Sequence, residues 1–308
     1  MTVGAALPGP LRHGDRVALV APSSAISDER LTEALDLLAR WDLEPVLGAH
    51  VRDTHPRAGT YLAGADADRA VDLMRAWTDD SVAAVLCLCG GYGAVRILDH
   101  LDVPRLRAAR PKMLVGSSDI TGLHEFWERE LAVPTLFAPM LGTNDLMSDP
   151  GNLIALHRAL FTATEERTLQ APGAEAIVEG EAQGTLTGGN LSLLAMTTGS
   201  HSSAPRAAGK IVLLEDVEEK TYRVDGFLVS LLRSGYFDGA VGIALGTWHE
   251  CGPLPEIRAL VEELLAPLGI PLIWGLPFGH GPGVDSVPLG VRARIIADAG
   301  QPRIELLR

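Results

Sequence analysis

The sequence predicts an α/β protein with a doubly wound parallel sheet in its first half and a less regular α+β or barrel-like second half. Three observations carry this. Short apolar runs alternate with amphipathic helical stretches over residues 16–130. Gly- and Ser-rich turns follow several of those runs. Beyond Ala171-Pro172-Gly173 the alternation loses its regularity. The expected domains are residues 1–165 and residues 166–308.

The chain has 308 residues, enough for a large core without staples. Its formal charge of −13 argues against nucleic acid or an anionic membrane as the main partner. Cys87, Cys89 and Cys251 make neither a disulfide framework nor a zinc spacing. Cys87 and Cys89 are two apart on one apolar run and are expected to share a strand face. Residues 1–14 lack a basic segment followed by an apolar one, and no apolar run reaches membrane-spanning length. A soluble, cytoplasmic protein is expected.

Taken in order, residues 16–21 (RVALVA) read as a strand broken by Pro22-Ser23-Ser24. Residues 28–41 read as a helix with Leu31, Ala34, Leu35 and Leu38 inward. A short strand at 44–47 and a helix at 66–77, with Ala70, Leu73 and Trp77 inward, come next. Residues 83–89 are a fully apolar strand, and Gly90-Gly91-Tyr92-Gly93 turns the chain into a helix carrying Val95, Ile97 and Leu98. Residues 113–115 form the next strand, and residues 120–130 a helix. In the second half, strands are expected at 180–186, 210–214, 241–245, 271–274, 291–297 and 303–307. Helices are expected at 191–198, 223–234 and 255–268.

Ligands of doubly wound sheets sit outside the carboxyl ends of the strands. Both the Gly90–Gly93 turn and Ser118 fall there. A serine on a tight strand-to-helix turn is exposed and lies beside backbone N–H groups that stabilise an oxyanion. The full Gly-x-Ser-x-Gly pattern is not met, because Ile120 holds its last place, and local sequence alone favours Ser118 or Asp119 as a plain helix cap. The glycine-rich turn also invites a dinucleotide reading, but Arg96 stands where the last glycine of that motif belongs. The same turn can bring a backbone N–H to a reacting carbonyl. Among nine histidines, His280 in a glycine-rich loop is the best base; His124 is nearer in sequence but lies inside a helix. For the orienting acid, Glu215 at a strand end is the leading candidate, with Asp216, Glu218 and Glu219 as rivals; spacing alone does not choose the triad.

Seven stretches tie these features to a known family: VALVAPS (17–23), YLAG (61–64), GGYGA (90–94), GSSDIT (116–121), TGGNL (187–191), LEDVEEKTYRVD (214–225) and GLPFGH (275–280). With them the chain resembles the LD-carboxypeptidases, serine peptidases of clan S66. That group includes muramoyltetrapeptide carboxypeptidases and microcin C immunity proteins. The resemblance implies a flavodoxin-like N-terminal domain, a swivelling β/β/α C-terminal domain and a homodimer. It also implies Ser118, not Ser117, as nucleophile, with Glu215 and His280 completing a triad across the domain boundary. The backbone N–H groups of Gly91 and Asp119 would form the oxyanion hole, with no metal or cofactor. Gly90, Tyr92 and Trp248 are candidate substrate contacts.

The substrate implied is a small peptide, a muropeptide tetrapeptide losing its terminal D-Ala in wall recycling. The alternatives are an aminoacyl-nucleotide amide, as for the immunity proteins, and a non-catalytic muropeptide-binding module. The chain departs from the family pattern at Cys89, where Arg is common, at Ser117, over Phe137-Ala138-Pro139-Met140, and at Gly226.

Overall fold

The computed structural model describes residues 7–163, 167–199 and 207–307. Residues 7–163 form one compact unit, and the described residues from 167 onward form a second. The boundary expected at residues 165 and 166 touches positions outside the described residues.

The first unit contains β1 (Arg16–Val20), α1 (Asp28–Arg40), β2 (Glu44–Leu47), α2 (Asp66–Thr78), β3 (Val82–Cys87) and α3 (Val103–Ala108). It continues through β4 (Met113–Gly116), α4 (Thr121–Phe126), β5 (Thr135–Phe137), α5 (Asn144–Met147) and α6 (Pro150–Phe161). Its own strands run in the order β2-β1-β3-β4-β5, every pair parallel. This is the flavodoxin-like order, and its direction reverses between β1 and β3. The inner strands are almost wholly apolar because helices cover both faces. One core lies under α1 and α6 (Leu31, Leu38, Leu156, Leu160), the other under α2 and α4 (Leu73, Trp77, Leu123, Trp127).

Local chemistry explains the helix ends. Ser27 accepts a hydrogen bond from the Arg30 N–H at 3.2 Å; Asp28 and Glu29 occupy the first turn of α1 and Arg40 the last. Leu37 is buried in α1, while the expected inward Leu35 is only half-buried.

The apolar run at 83–89 leaves the sheet at Cys87, so Cys87 and Cys89 do not share a strand face. Cys89 instead places its Sγ 3.0 Å from the Ser24 carbonyl oxygen. The segment after the glycine-rich turn is a 3₁₀ helix, Ala94–His100, not an α-helix. The helix expected at 120–130 is three pieces: 3₁₀ at Ser118–Ile120, α4, and a π turn at Trp127–Leu131.

The second unit contains β6 (Thr168–Gln170), β7 (Glu175–Val178), β8 (Gly180–Asn190), α7 (Leu191–Thr197), β9 (Lys210–Val217) and α8 (Thr221–Arg233). Next come β10 (Gly242–His249), α9 (Leu254–Leu265), β11 (Leu272–Trp274), β12 (Val287–Leu289), β13 (Arg292–Ala297) and β14 (Arg303–Leu306). One mixed sheet runs β6-β14-β13-β8-β9-β10-β11-β7. Its central four strands, β8 to β11, are parallel, and the flanking pairs are antiparallel.

Two extensions beyond the expected strands position the site. Strand β8 continues through Thr187-Gly188-Gly189-Asn190, because these residues keep pairing along β9 up to Asn190 opposite Glu215. Gly188, at φ +113, lies so close that a Cβ would fall 2.1 Å from the Leu213 oxygen, which is why glycine sits there. Strand β9 runs on to Val217, so Glu215 lies inside the strand. Among the described residues no helix is long and apolar enough to cross a membrane.

Candidate active site

In the first unit, β4 ends at Gly116 and the backbone bends sharply. Ser118 adopts φ +56, a left-handed conformation that is strained for a residue with a Cβ. Its neighbour Ser117 is extended and buried. The half-exposed, strained serine has the geometry of a nucleophile elbow. Gly116 is needed below it, since a Cβ there would fall 2.8 Å from the Ile120 side chain.

The glycine-rich turn lies against this serine. A Cβ on Gly90 would come within 2.9 Å of Ser118 Oγ. Gly91 has φ +93, and a Cβ there would overlap Ser24 Oγ at 2.1 Å. Ser24 binds the turn through its N–H to the Gly90 oxygen at 3.2 Å, and its hydroxyl accepts the Tyr92 N–H at 3.3 Å. That hydroxyl in turn donates to the Tyr61 oxygen at 3.1 Å. The exposed rings of Tyr61 and Tyr92 stand 6.2 Å apart.

Asp119 is buried. Its Oδ2 accepts hydrogen bonds from the Ser23 hydroxyl at 2.6 Å and the Ala94 N–H at 2.7 Å. Burial raises its pKa, opposed by those two hydrogen bonds and the Arg69 charge.

His124 lies inside α4 with its ring turned back to the elbow. Its Nε2 lies 2.9 Å from the Gly116 oxygen, so that nitrogen carries the proton. Burial pushes its pKa down to about 4, and the bond to Gly116 only partly offsets this. A lowered histidine pKa means the unfolded chain binds the proton more readily. The stabilisation is therefore complete above pH ~6.5 and is lost as pH falls toward ~4, amounting to about 3 kcal/mol. Chemical denaturation across that window should show the decline, and His124→Gln should flatten it. An unchanged slope in the variant would refute the assignment.

In the second unit, Glu215 is fully buried, and its Oε2 lies 2.6 Å from His280 Nδ1. Of the acids at 215–219, it is Glu215 that the structure brings to His280. Its Oε1 accepts from Asn190 Nδ2 at 3.2 Å, and the same amide donates to Asp216 Oδ1 at 2.9 Å. Asn190 Oδ1 accepts the Ser192 hydroxyl at 2.7 Å and the Leu193 N–H at 3.2 Å, so one side chain caps α7 and holds the acid. Asp216 also accepts N–H groups of Val217 and Ser192, each at 2.9 Å. Burial and the adjacent Glu215 charge push its pKa up to about 7.

The His280 loop is built around glycine. Gly279 has φ +122, and a Cβ there would fall 2.8 Å from Glu215 Oε2. The His280 N–H donates to Thr247 Oγ1 at 2.9 Å. Trp248 is a correction: only 5% exposed, it stacks on Trp274 in the core of its unit rather than offering an open ring.

Asn190, Ser23 and Ser24 were not singled out for this site in the sequence. Asn190 had a visible helix-capping signal, but its reach to Glu215 spans 25 positions.

Comparison with known proteins defines the class as a serine-type hydrolase. Residues 17–138 match the LD-carboxypeptidase N-terminal domain and residues 183–295 the LD-carboxypeptidase C-terminal domain. A Streptomyces coelicolor protein provisionally named a carboxypeptidase is 45% identical over 293 residues, covering 95% of this chain and 94% of the other. The murein tetrapeptide carboxypeptidase of Pseudomonas aeruginosa is 34% identical over 291 residues, covering 90% and 92%. Among solved structures, an MccF-like protein from Bacillus anthracis superimposes with a TM-score of 0.85 at 25% identity, covering 98% and 99%. The chain belongs to the LD-carboxypeptidase family.

Proposed function

We propose that the chain is a serine carboxypeptidase that cleaves an L,D-peptide bond and releases D-Ala from muropeptide tetrapeptides during wall recycling. The chemistry rests on one observation above all, the 2.6 Å contact between His280 Nδ1 and buried Glu215. That contact leaves Nε2 as the nitrogen for proton transfer. The substrate class rests on the 34% identity to the murein tetrapeptide carboxypeptidase.

In this reading residues 1–165 supply the nucleophile and residues 166–308 the acid and base. His280 takes the Ser118 proton as Oγ attacks the carbonyl carbon. Glu215 holds the imidazole and stabilises its charged form. The N–H groups of Gly91 and Asp119 bind the oxyanion. His280 then protonates the leaving amine of D-Ala, and water hydrolyses the acyl-enzyme. The same reading places the protein in the cytoplasm as a homodimer.

The Tyr61–Tyr92 pair favours a second reading. Two exposed rings beside the glycine-rich turn make a platform for a base, which suits hydrolysis of an aminoacyl-nucleotide amide. Assaying both substrates decides between them. Release of D-Ala from an L,D-tetrapeptide without turnover of aminoacyl-sulfamoyl adenosine is the expected result. The reverse outcome would overturn the muropeptide reading.

A further inference from the structure

Arg69 is a buried cation that the steps above do not use. It sits on α2 and donates through Nη1 to two carbonyl oxygens, Pro22 and Gly93, the latter at 2.9 Å. Asp119 Oδ2 accepts from Ser23 and Ala94, the residues that follow those two. One guanidinium therefore takes the carbonyls, and one carboxylate takes the donors, of the same two segments. These are the turn after β1 and the glycine-rich turn after β3, the two sides of the point where strand order reverses. Arg69 forms its ion pair with Asp66, and its charge also opposes the effect of burial on Asp119.

Gly93 is part of the same device. Its φ is +129, and a Cβ there would fall 2.7 Å from Arg69 Nη1. Only glycine lets the guanidinium reach the turn. Nη2 is tied in turn to Asp66, which also takes two hydrogen bonds from Arg96 Nε and one, at 2.8 Å, from its Nη2. Arg96 lies three residues beyond Gly93, so the outer end of the chain of charges returns to the same turn.

We propose that Arg69 is a positioning residue that, with Asp119, fixes the Gly91 N–H relative to the Ser118 hydroxyl. The inference rests on the reading of Ser118 as nucleophile and Gly91 as oxyanion donor. Asp119 follows Ser118 directly, and Gly91 lies two residues before Gly93. A clamp on Pro22–Ser23 and Gly93–Ala94 therefore reaches both groups through very short lengths of chain. Without Arg69, Asp119 would lose a charge that opposes its burial, and each of the two segments would lose a hydrogen bond.

The test uses the full chain and a fluorophosphonate probe, which reports nucleophile and oxyanion geometry whatever the natural substrate. Arg69→Met should label at least tenfold more slowly than wild type. With the muropeptide its kcat should fall by about a hundredfold while KM stays within about twofold. Millimolar guanidinium should recover part of the labelling rate. Labelling and kcat within twofold of wild type in a folded Arg69→Met protein would overturn the proposal. If that variant does not fold by circular dichroism, Arg69→Lys, which keeps the charge but loses the fork, is read by the same criteria. Ser118→Ala is run alongside: labelling that survives it refutes the nucleophile reading itself, separately from the role of Arg69.

Discussion

Ser118→Ala should abolish D-Ala release, with kcat down by about 10⁴ or more, while Ser117→Ala stays within a few-fold of wild type. Serines 117 and 118 are adjacent and chemically identical, so only conformation separates them. Ser118 carries the left-handed φ of +56 and is half-exposed, whereas Ser117 is extended and buried. Gly90 abuts the Ser118 side chain, which places the glycine-rich turn against it. In the proposed mechanism, removing the Oγ removes the attacking atom and leaves the backbone donors, so a small residual rate is the most that should remain. Alanine carries the same Cβ as serine at φ +56, so the fold should be kept, which a thermal melt checks. Equal losses in both variants would mean that the turn, rather than one hydroxyl, is being damaged.

Glu215→Gln should cost about 10⁴ in kcat, by comparison with the equivalent change in other triads. Glu215 presents two acceptors to two donors: Oε2 to His280 Nδ1–H and Oε1 to Asn190 Nδ2. A glutamine has one acceptor and one donor. Either its NH₂ faces the Asn190 amide, or it faces His280 and forces the tautomer that puts the proton on Nε2. The first arrangement buries two opposed donors, and the second leaves Nε2 unable to accept the serine proton. Both also remove the charge that stabilises the imidazolium. Fluorophosphonate labelling should fall together with kcat. Labelling at the wild-type rate would exclude Glu215 from the relay and turn attention to Asp216, which shares the Asn190 amide.

Much of this was legible along the chain. Apolar runs at residues 16–20 and 82–87 are long enough to mark buried parallel strands, and the amphipathic faces of α1 and α2 follow helical spacing. Glu215 at the end of an apolar run and His280 between glycines were visible as candidates. Strands β5 and β7 were not, because β5 lies between Pro134 and Pro139 and β7 directly follows Ala171-Pro172-Gly173-Ala174, so both read as loop. The helix at 120–130 kept the right residues but broke into 3₁₀, α and π pieces. Periodicity records which side is apolar, not which carbonyl each N–H chooses.

The sequence by itself determined the fold class, the family and the candidate reactive side chains, because hydrophobic period and short motifs are local properties of the chain. The motifs named Ser118 and Glu215, and only the tertiary structure gives Ser118 its strained φ and brings Glu215 to His280. It also withdrew Trp248 into the core and joined Arg69 to Asp119 across 50 residues through the segments at Pro22–Ser23 and Gly93–Ala94. Those choices depend on distances between residues far apart in the chain, set by how strands register and what their glycines leave room for.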